Sequence, residues 1–316
     1  MKRVGGHRNF GYGKQMAWAG KQALRDRYGN GHYGTVTSHA ERWRQFVTWC
    51  RDERQIRDAQ FVDTGVVQDY GNSLRDKVEA GMSPAYAQNL LSSVNVVLQA
   101  MRDDRQVRVA PVDCVGQRSR TRANRPAGLD QKAVRQCANR LRLNGHERIA
   151  AIAELSRALG LRLKEASLLN ARVALGQAKK HGAVNITAGT KGGRGHRIDR
   201  WVPVTGRAIG CLVRAAEAQG TGRNLIPPGL SWRQWNTKVH DVWASVRDDY
   251  GLKKIHDLRT AYACDRYRQL IASVAPVIAG RLCAGRSVDR TARQTIAQEL
   301  GHARIDVISA YIGGAR

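Results

Sequence analysis

From Ser38 onward, apolar residues return every three or four positions, and most runs stop at a glycine or a proline. That spacing follows the 3.6-residue turn of an α-helix and commits most of the chain to amphipathic helices. Trp43, Phe46, Val47 and Cys50 share one face behind the capping-box pair Ser38 and Glu41. Val67, Tyr70, Leu74 and Val78 form a second stripe that ends at Gly81. Ser83-Pro84 opens a third, because serine caps a helix and proline suits its first turn; its stripe is Leu90, Val94, Val97, Leu98 and Met101. Further helical patterns run over about 130–143, 147–158, 206–218 and 231–248, the last with Trp232, Trp235, Val239, Val242 and Trp243 on its inner side. A β section is read at Val184–Thr190 and Arg200–Val204, flanking a glycine-rich turn that starts at Lys191. The expected fold class is mainly α with a small antiparallel β-sheet.

At 316 residues the chain is long enough for two domains. The periodicity divides it into a mobile basic arm over 1–35 holding at most one short helix, a helical domain over 36–102, an extended basic linker over 103–128, and a second domain over 129–316. Lys and Arg number 53 against 26 Asp and Glu, a net charge of +27. The excess is spread along the chain, with 21 basic and 12 acidic residues in 1–128 (+9) and 32 and 14 in 129–316 (+18). Such self-repulsion is best tolerated when a polyanion neutralises it, so nucleic acid is the expected partner, gripped from two domains. In the linker, Arg118, Arg120, Arg122 and Arg125 are candidate phosphate contacts, with Arg194 in the glycine-rich turn. Six cysteines without a CxxC pair indicate neither a disulfide framework nor a zinc site, and a reducing compartment is expected. No apolar run reaches membrane-spanning length, and a soluble intracellular protein with no membrane partner is expected.

Four short segments carry the residue types of phosphate chemistry. In Leu159-Gly160-Leu161-Arg162-Leu163-Lys164-Glu165, a glycine corner presents Arg162, and Glu165 follows one helical turn later, placed to hold the arginine. Thr190-Lys191 stands at the tip of the β section. In His256-Asp257-Leu258-Arg259-Thr260, His256 and Arg259 lie three apart on one helix face. The chain closes with Leu300-Gly301-His302 and Tyr311 nine positions beyond the histidine, where Ile305, Ile308 and Ile312 would bury one side of a helix. Each segment alone has a plain reading: an exposed Arg-Glu pair, a solvated lysine, a weak His-x-x-Arg, a half-buried aromatic.

Together, and in this order, the segments resemble the tyrosine recombinases, or phage-type integrases, which cut and rejoin DNA through a tyrosine. The resemblance rests on Gly-Leu-Arg-x-x-Glu at 160–165, Thr-Lys-Gly-Gly at 190–193, His-x-Leu-Arg-Thr at 256–260, and Leu-Gly-His with Tyr311 nine residues on. It covers most of residues 36–316. It implies a SAM-like helical core-binding domain that closes on DNA, followed by a catalytic domain. Arg162 and Arg259 would clasp the scissile phosphate, His256 and His302 would donate hydrogen bonds or move protons, Lys191 would protonate the leaving 5′ oxygen, and Tyr311 would be the nucleophile, with Glu165 in support. No metal or other cofactor is implied. The implied partners are double-stranded DNA, further copies in a homotetramer on two DNA sites, and a DNA-bending accessory protein, all in a bacterial cytoplasm and in the service of a mobile element.

Two features depart from the family pattern. His256 and His302 are 46 positions apart, roughly twenty more than is usual, and the excess is expected near Val274–Asp289. Five residues follow Tyr311, so protomer contacts would come from elsewhere than a C-terminal tail. Two other functions suit the same sequence. A non-catalytic DNA-binding protein of this fold has no need of the full polar set, and a type IB-like topoisomerase or resolvase would use it without a specific partner site.

Overall fold

The computed structural model describes residues 7–191, 195 and 197–314. The chain divides into two compact units, Met1–Ser119 and Arg120–Arg316. In the first, helix α1 is Met16–Tyr28, α2 Tyr33–Arg54, α3 Thr64–Glu79, α4 Pro84–Arg102 and α5 Pro111–Val115. Trp43, Phe46, Tyr70, Leu74, Leu90, Val94, Leu98 and Met101 form its interior, and the Phe46 and Tyr70 rings meet edge to face at 5.0 Å. Truncating one such aromatic to alanine costs about 3–5 kcal/mol.

Three expectations for this unit need correction. The segment read as a mobile arm supplies the 13-residue helix α1, whose Met16, Ala19, Ala23 and Leu24 are buried in the same core. The Trp43 indole N–H donates to the Met16 carbonyl at 2.9 Å, and a Cβ on Gly20 would lie 2.3 Å from that indole nitrogen. Helix α2 starts at Tyr33, ahead of the expected cap, because Val36 and Ala40 are buried on its inner side; Ser38 and Glu41 are therefore interior helix positions. The expected extended linker is split between the units. Its first half packs as α5, with Val107, Val109, Cys114 and Val115 buried. Arg75 Nε donates to the Cys114 carbonyl at 2.6 Å, and the Asn95 amide exchanges hydrogen bonds with the Val109 backbone.

The second unit contains α6 (Gln131–Leu143), α7 (Glu147–Leu159), α8 (Leu163–Leu168), α9 (Ala171–His181), strands β1 (Ala183–Asn185) and β2 (Trp201–Pro203), and then α10 (Gly206–Gln219) and α11 (Trp232–Arg247). It ends with α12 (Ile255–Ile271), α13 (Pro276–Ala279), α14 (Arg286–Glu299) and α15 (Ser309–Ile312). Helix α7 is the centre of this unit; Ile149, Ile152, Leu155 and Leu159 are buried, and α6, α10 and α12 pack around it. Side chains fix several helix starts: Asp130 accepts from the Lys132 and Ala133 N–H groups, and Ser231 and Gln234 form a capping box. The strands pair antiparallel with Val184 opposite Val202. They are shorter than the sequence suggested, since the chain turns away through Gly189 at φ +72°. The extra segment expected near Val274–Asp289 holds α13 and the start of α14. Among the described residues, no helix is long and apolar enough to cross a membrane.

Candidate active site

The site is assembled where two glycine corners meet α12. Gly160 ends α7 in the left-handed region at φ +63°, and a Cβ there would press within 2.5 Å of the Tyr262 ring. The corner sets Arg162 at the start of α8. Its backbone N–H donates to Glu165 Oε2 at 2.8 Å and its Nη1 to Oε1 at 2.5 Å. Gly301, at φ +67°, makes the second corner and turns His302 towards the same place.

Glu165 is fully buried and is the hub of the arrangement. Besides Arg162 it accepts from Arg200 Nη1 at 2.8 Å and lies 3.4 Å from Arg259 Nη1. Burial alone would raise its pKa, but the guanidiniums of Arg200, Arg259 and Arg162 and the Arg162 N–H outweigh that and hold it below the usual carboxylate range. Arg259 is also fully buried. It donates to the carbonyls of Gly160 and Leu300, so it pins both corners at once. Burial lowers its pKa to about 10, which still leaves it charged at neutral pH.

Tyr311 lies over this arginine. The guanidinium carbon is 5.5 Å from the ring centroid, and Nε reaches the phenol oxygen at 3.4 Å. The same oxygen is 3.0 Å from His302 Nε2. Nη2 of Arg162 and Nη2 of Arg259 each stand 3.4 Å from that ring nitrogen. Guanidinium groups only donate, so Nε2 is the acceptor and the His302 proton resides on Nδ1. Burial, with Arg259, Arg162 and Arg200 nearby, lowers the His302 pKa to about 4. The phenol O–H therefore donates to a neutral imidazole while Arg259 donates to the phenol oxygen.

His256 stands on the outer side, exposed, with its ring 5.8 Å from that of Tyr311. Partial desolvation and the charges of Arg259, Arg162 and Arg122 lower its pKa as well. Lys191 is exposed and borders a cavity of about 190 Å³ shared with Arg162, Thr190, Arg200, Gly301 and His302. A larger cleft of about 320 Å³, beside Arg157, Arg207 and Tyr262, is lined by none of the expected catalytic residues. Of the expected catalytic residues, Arg259 and His302 touch the Tyr311 oxygen, Arg162 stands against His302, the His256 ring lies beside that of Tyr311, and Lys191 faces the adjoining cavity.

The tyrosine helix is held from three sides. Arg293 Nη1 donates to the Gly313 carbonyl at 3.0 Å, and the Gly313 backbone sits against Val277 of α13. The extra segment is thereby a buttress beneath α15. On the third side the Arg122 N–H donates to the Ser309 carbonyl at 2.9 Å, and its guanidinium pairs with buried Asp257. Arg122, expected among the phosphate contacts, is instead a clip between α12 and α15. Arg118 is half-buried with Nη1 3.4 Å from Asn89, whereas Arg120 and Arg125 are exposed. Arg194 lies outside the described residues. Arg200 and Glu299 were not singled out from the sequence; nothing local marks one arginine among 53 basic residues, and only the folded chain brings it to Glu165.

An integrase family model matches residues 122–265, which contain Arg162, Glu165, Lys191, His256 and Arg259 in the geometry just described. Over that stretch, 144 of the 316 residues, the chain is similar to the integrase family. No curated protein matches it by sequence. Its fold is similar to that of a lambda integrase (75–356) dimer bound to a COC′ core site, at 14% identity and TM-score 0.59, covering 95% of each chain. It is also similar to the Tn1549 transposon integrase in complex with transposon right end DNA, at 11% identity and TM-score 0.58, covering 92% of this chain and 93% of that one. A lambda integrase tetramer bound to a Holliday junction matches at 14% identity and TM-score 0.57, covering 90% and 72%. At these identities the likeness concerns the fold alone; the chemistry of this chain has to be argued from its own residues.

Proposed function

We propose that this protein cleaves and rejoins DNA strands at specific sites through a 3′-phosphotyrosyl intermediate, in the integration or excision of a mobile element. The observation that carries the reading is the Tyr311 oxygen held between His302 Nε2 and Arg259 Nε. Attack by that oxygen on a backbone phosphorus forms the Tyr311 O–P bond and breaks the bond to the 5′ oxygen. The phenol proton passes to neutral His302. Lys191, at the rim of the adjoining cavity, supplies the proton that the departing 5′ hydroxyl needs. The phosphotyrosyl ester then serves as the electrophile for a second DNA strand, so no other energy source enters.

Two guanidiniums suit a transition state with charge spread over non-bridging oxygens. Their availability differs. Arg162 keeps 22% of its side chain exposed, while Arg259 has none. Arg162 is open to a phosphate as the site stands, and Arg259 becomes so as the Tyr311 ring lying over it moves towards the phosphorus. DNA as substrate is supported by the net charge of +27 and by the DNA-bound state of the lambda and Tn1549 integrases that share this fold. Assembly as a tetramer on two duplexes, in a bacterial cytoplasm, is part of the same proposal, prompted by the lambda tetramer on a Holliday junction.

The test is a nicked suicide duplex carrying DNA from beside the gene. Wild-type protein is expected to accumulate a covalent adduct. Tyr311→Phe should form none while retaining its DNA affinity, and equal adduct yields from the two proteins would end the proposal.

A further inference from the structure

Arg200 immediately precedes strand β2 and belongs to none of the motif segments, yet it touches both glycine corners. Its Nη1 donates to Glu165 Oε1 at 2.8 Å and its Nε to the Glu299 carbonyl at 2.7 Å. It is 6% exposed, and it lines the cavity that also holds Arg162, Lys191 and His302. Gly301 passes so close that a Cβ on it would lie 3.0 Å from Arg200 Cδ. The strand itself is tied back to β1, where the Arg200 N–H donates to Asn185 Oδ1 and its carbonyl accepts from the Ile186 N–H, both at 2.9 Å. One side chain therefore connects the β section to the carboxylate that orients Arg162 and to the backbone turn that aims His302.

We propose that Arg200 is a positioning residue for strand cleavage: it locks the Arg162 corner and the His302 corner in register by gripping Glu165 and the Glu299 carbonyl at once. The inference rests on the reading of the site as a DNA-cleaving one. A fork of two nitrogens on one rigid plane is what this task needs. An ammonium is a single point and cannot hold two acceptors on different elements in a fixed relation. Misplacing catalytic groups by about 1 Å can cost on the order of 100-fold in rate. The charge has a second effect. The groups facing His302 are the cations of Arg162, Arg200 and Arg259, the carboxylate of Glu165 and the Tyr311 phenol. Arg200 is one of the three cations that keep His302 from taking a proton.

Two variants separate grip from charge. Arg200→Lys keeps the cation and loses the fork. Its single-turnover adduct rate is expected to fall on the order of 10–100-fold, with the acid limb of the pH profile where wild type has it. Arg200→Gln loses both, and its rate should fall at least as far with the acid limb displaced to higher pH. DNA affinity should change less than about twofold in either, since the side chain is buried away from solvent. Should the glutamine variant fail to fold, the lysine variant decides alone. Wild-type rates in Arg200→Lys would overturn the proposal, as would an Arg200→Gln whose rate loss matches its unfolded fraction with an unmoved pH profile. Adduct formation by Tyr311→Phe would instead overturn the reading beneath it, so the two failures are distinguishable.

Discussion

The two units bury different things. In the first, the interior is aliphatic and aromatic, and Asp58 is its one buried charged side chain among the described residues. In the second, Glu154, Arg157, Glu165, Arg200, Asp257, Arg259, Asp289, Arg293 and Glu299 are all buried. Ion pairs in an interior are poor sources of stability, because desolvation offsets their attraction and an apolar substitute of like volume often does as well. Their concentration in one unit marks where side chains must be aimed. Glu165, Arg200 and Arg259 surround the His302–Tyr311 pair, while Asp257 and Arg293 brace the helix that carries Tyr311.

The largest effect that sharpens this contrast comes from Arg259→Gln. Removing one partner from a buried charge network costs about 3–5 kcal/mol, and here it also frees the carbonyls of Gly160 and Leu300. The second unit should melt many degrees lower and form no adduct. Phe46→Ala should cost a similar ~3–5 kcal/mol in the first unit and leave the geometry around Tyr311 unchanged, as read by Tyr311 hydrogen exchange and by calorimetry. If the two variants lower the same unit, the contrast fails. Next is Gly160→Ala, where the added methyl meets the Tyr262 ring at a left-handed backbone angle; a loss of about 1–3 kcal/mol and a slower adduct rate are expected from denaturant melts and trapping.

A smaller effect concerns pH. The proposed mechanism needs a neutral His302 to accept the phenol proton, and its pKa is lowered to about 4. The adduct rate should therefore hold from pH 8 down to about 5 and fall as the pH drops through 4, with far-UV circular dichroism checking that the fold persists. A limb near the ordinary histidine value of about 6.5 would place the proton acceptor elsewhere. The smallest effect separates two linker arginines. Arg125→Ala should lower the slope of log affinity against log salt by about 0.9 for a phosphate contact. Arg122→Ala should leave that slope alone and destabilise the second unit, because its guanidinium pairs with Asp257.

Helices whose inner faces carry Leu, Val, Phe and Trp were legible in the sequence, as α3, α4 and α11 show. Helices that pack through small residues were not. The buried positions of α9 are Ala171, Ala174 and Ala178, and α1 approaches Trp43 through Ala19, Gly20 and Ala23, so neither has a strong apolar period. The site divides the same way. Arg162, Glu165, His256, Arg259, His302 and Tyr311 sit in short segments whose spacing can be read, and the fold brings them together. Arg200, Asp257, Arg293 and Glu299 act through partners from 20 to more than 130 residues away, and no local pattern announces such a pairing.

The most direct measurement is to locate the DNA on the protein. The trapped complex would be digested with nuclease and trypsin and the modified peptide sequenced by mass spectrometry. The nucleotide mass is expected on Tyr311, in the peptide that begins at Ile305; a nucleotide on any other residue, or an adduct that survives Tyr311→Phe, would contradict the account.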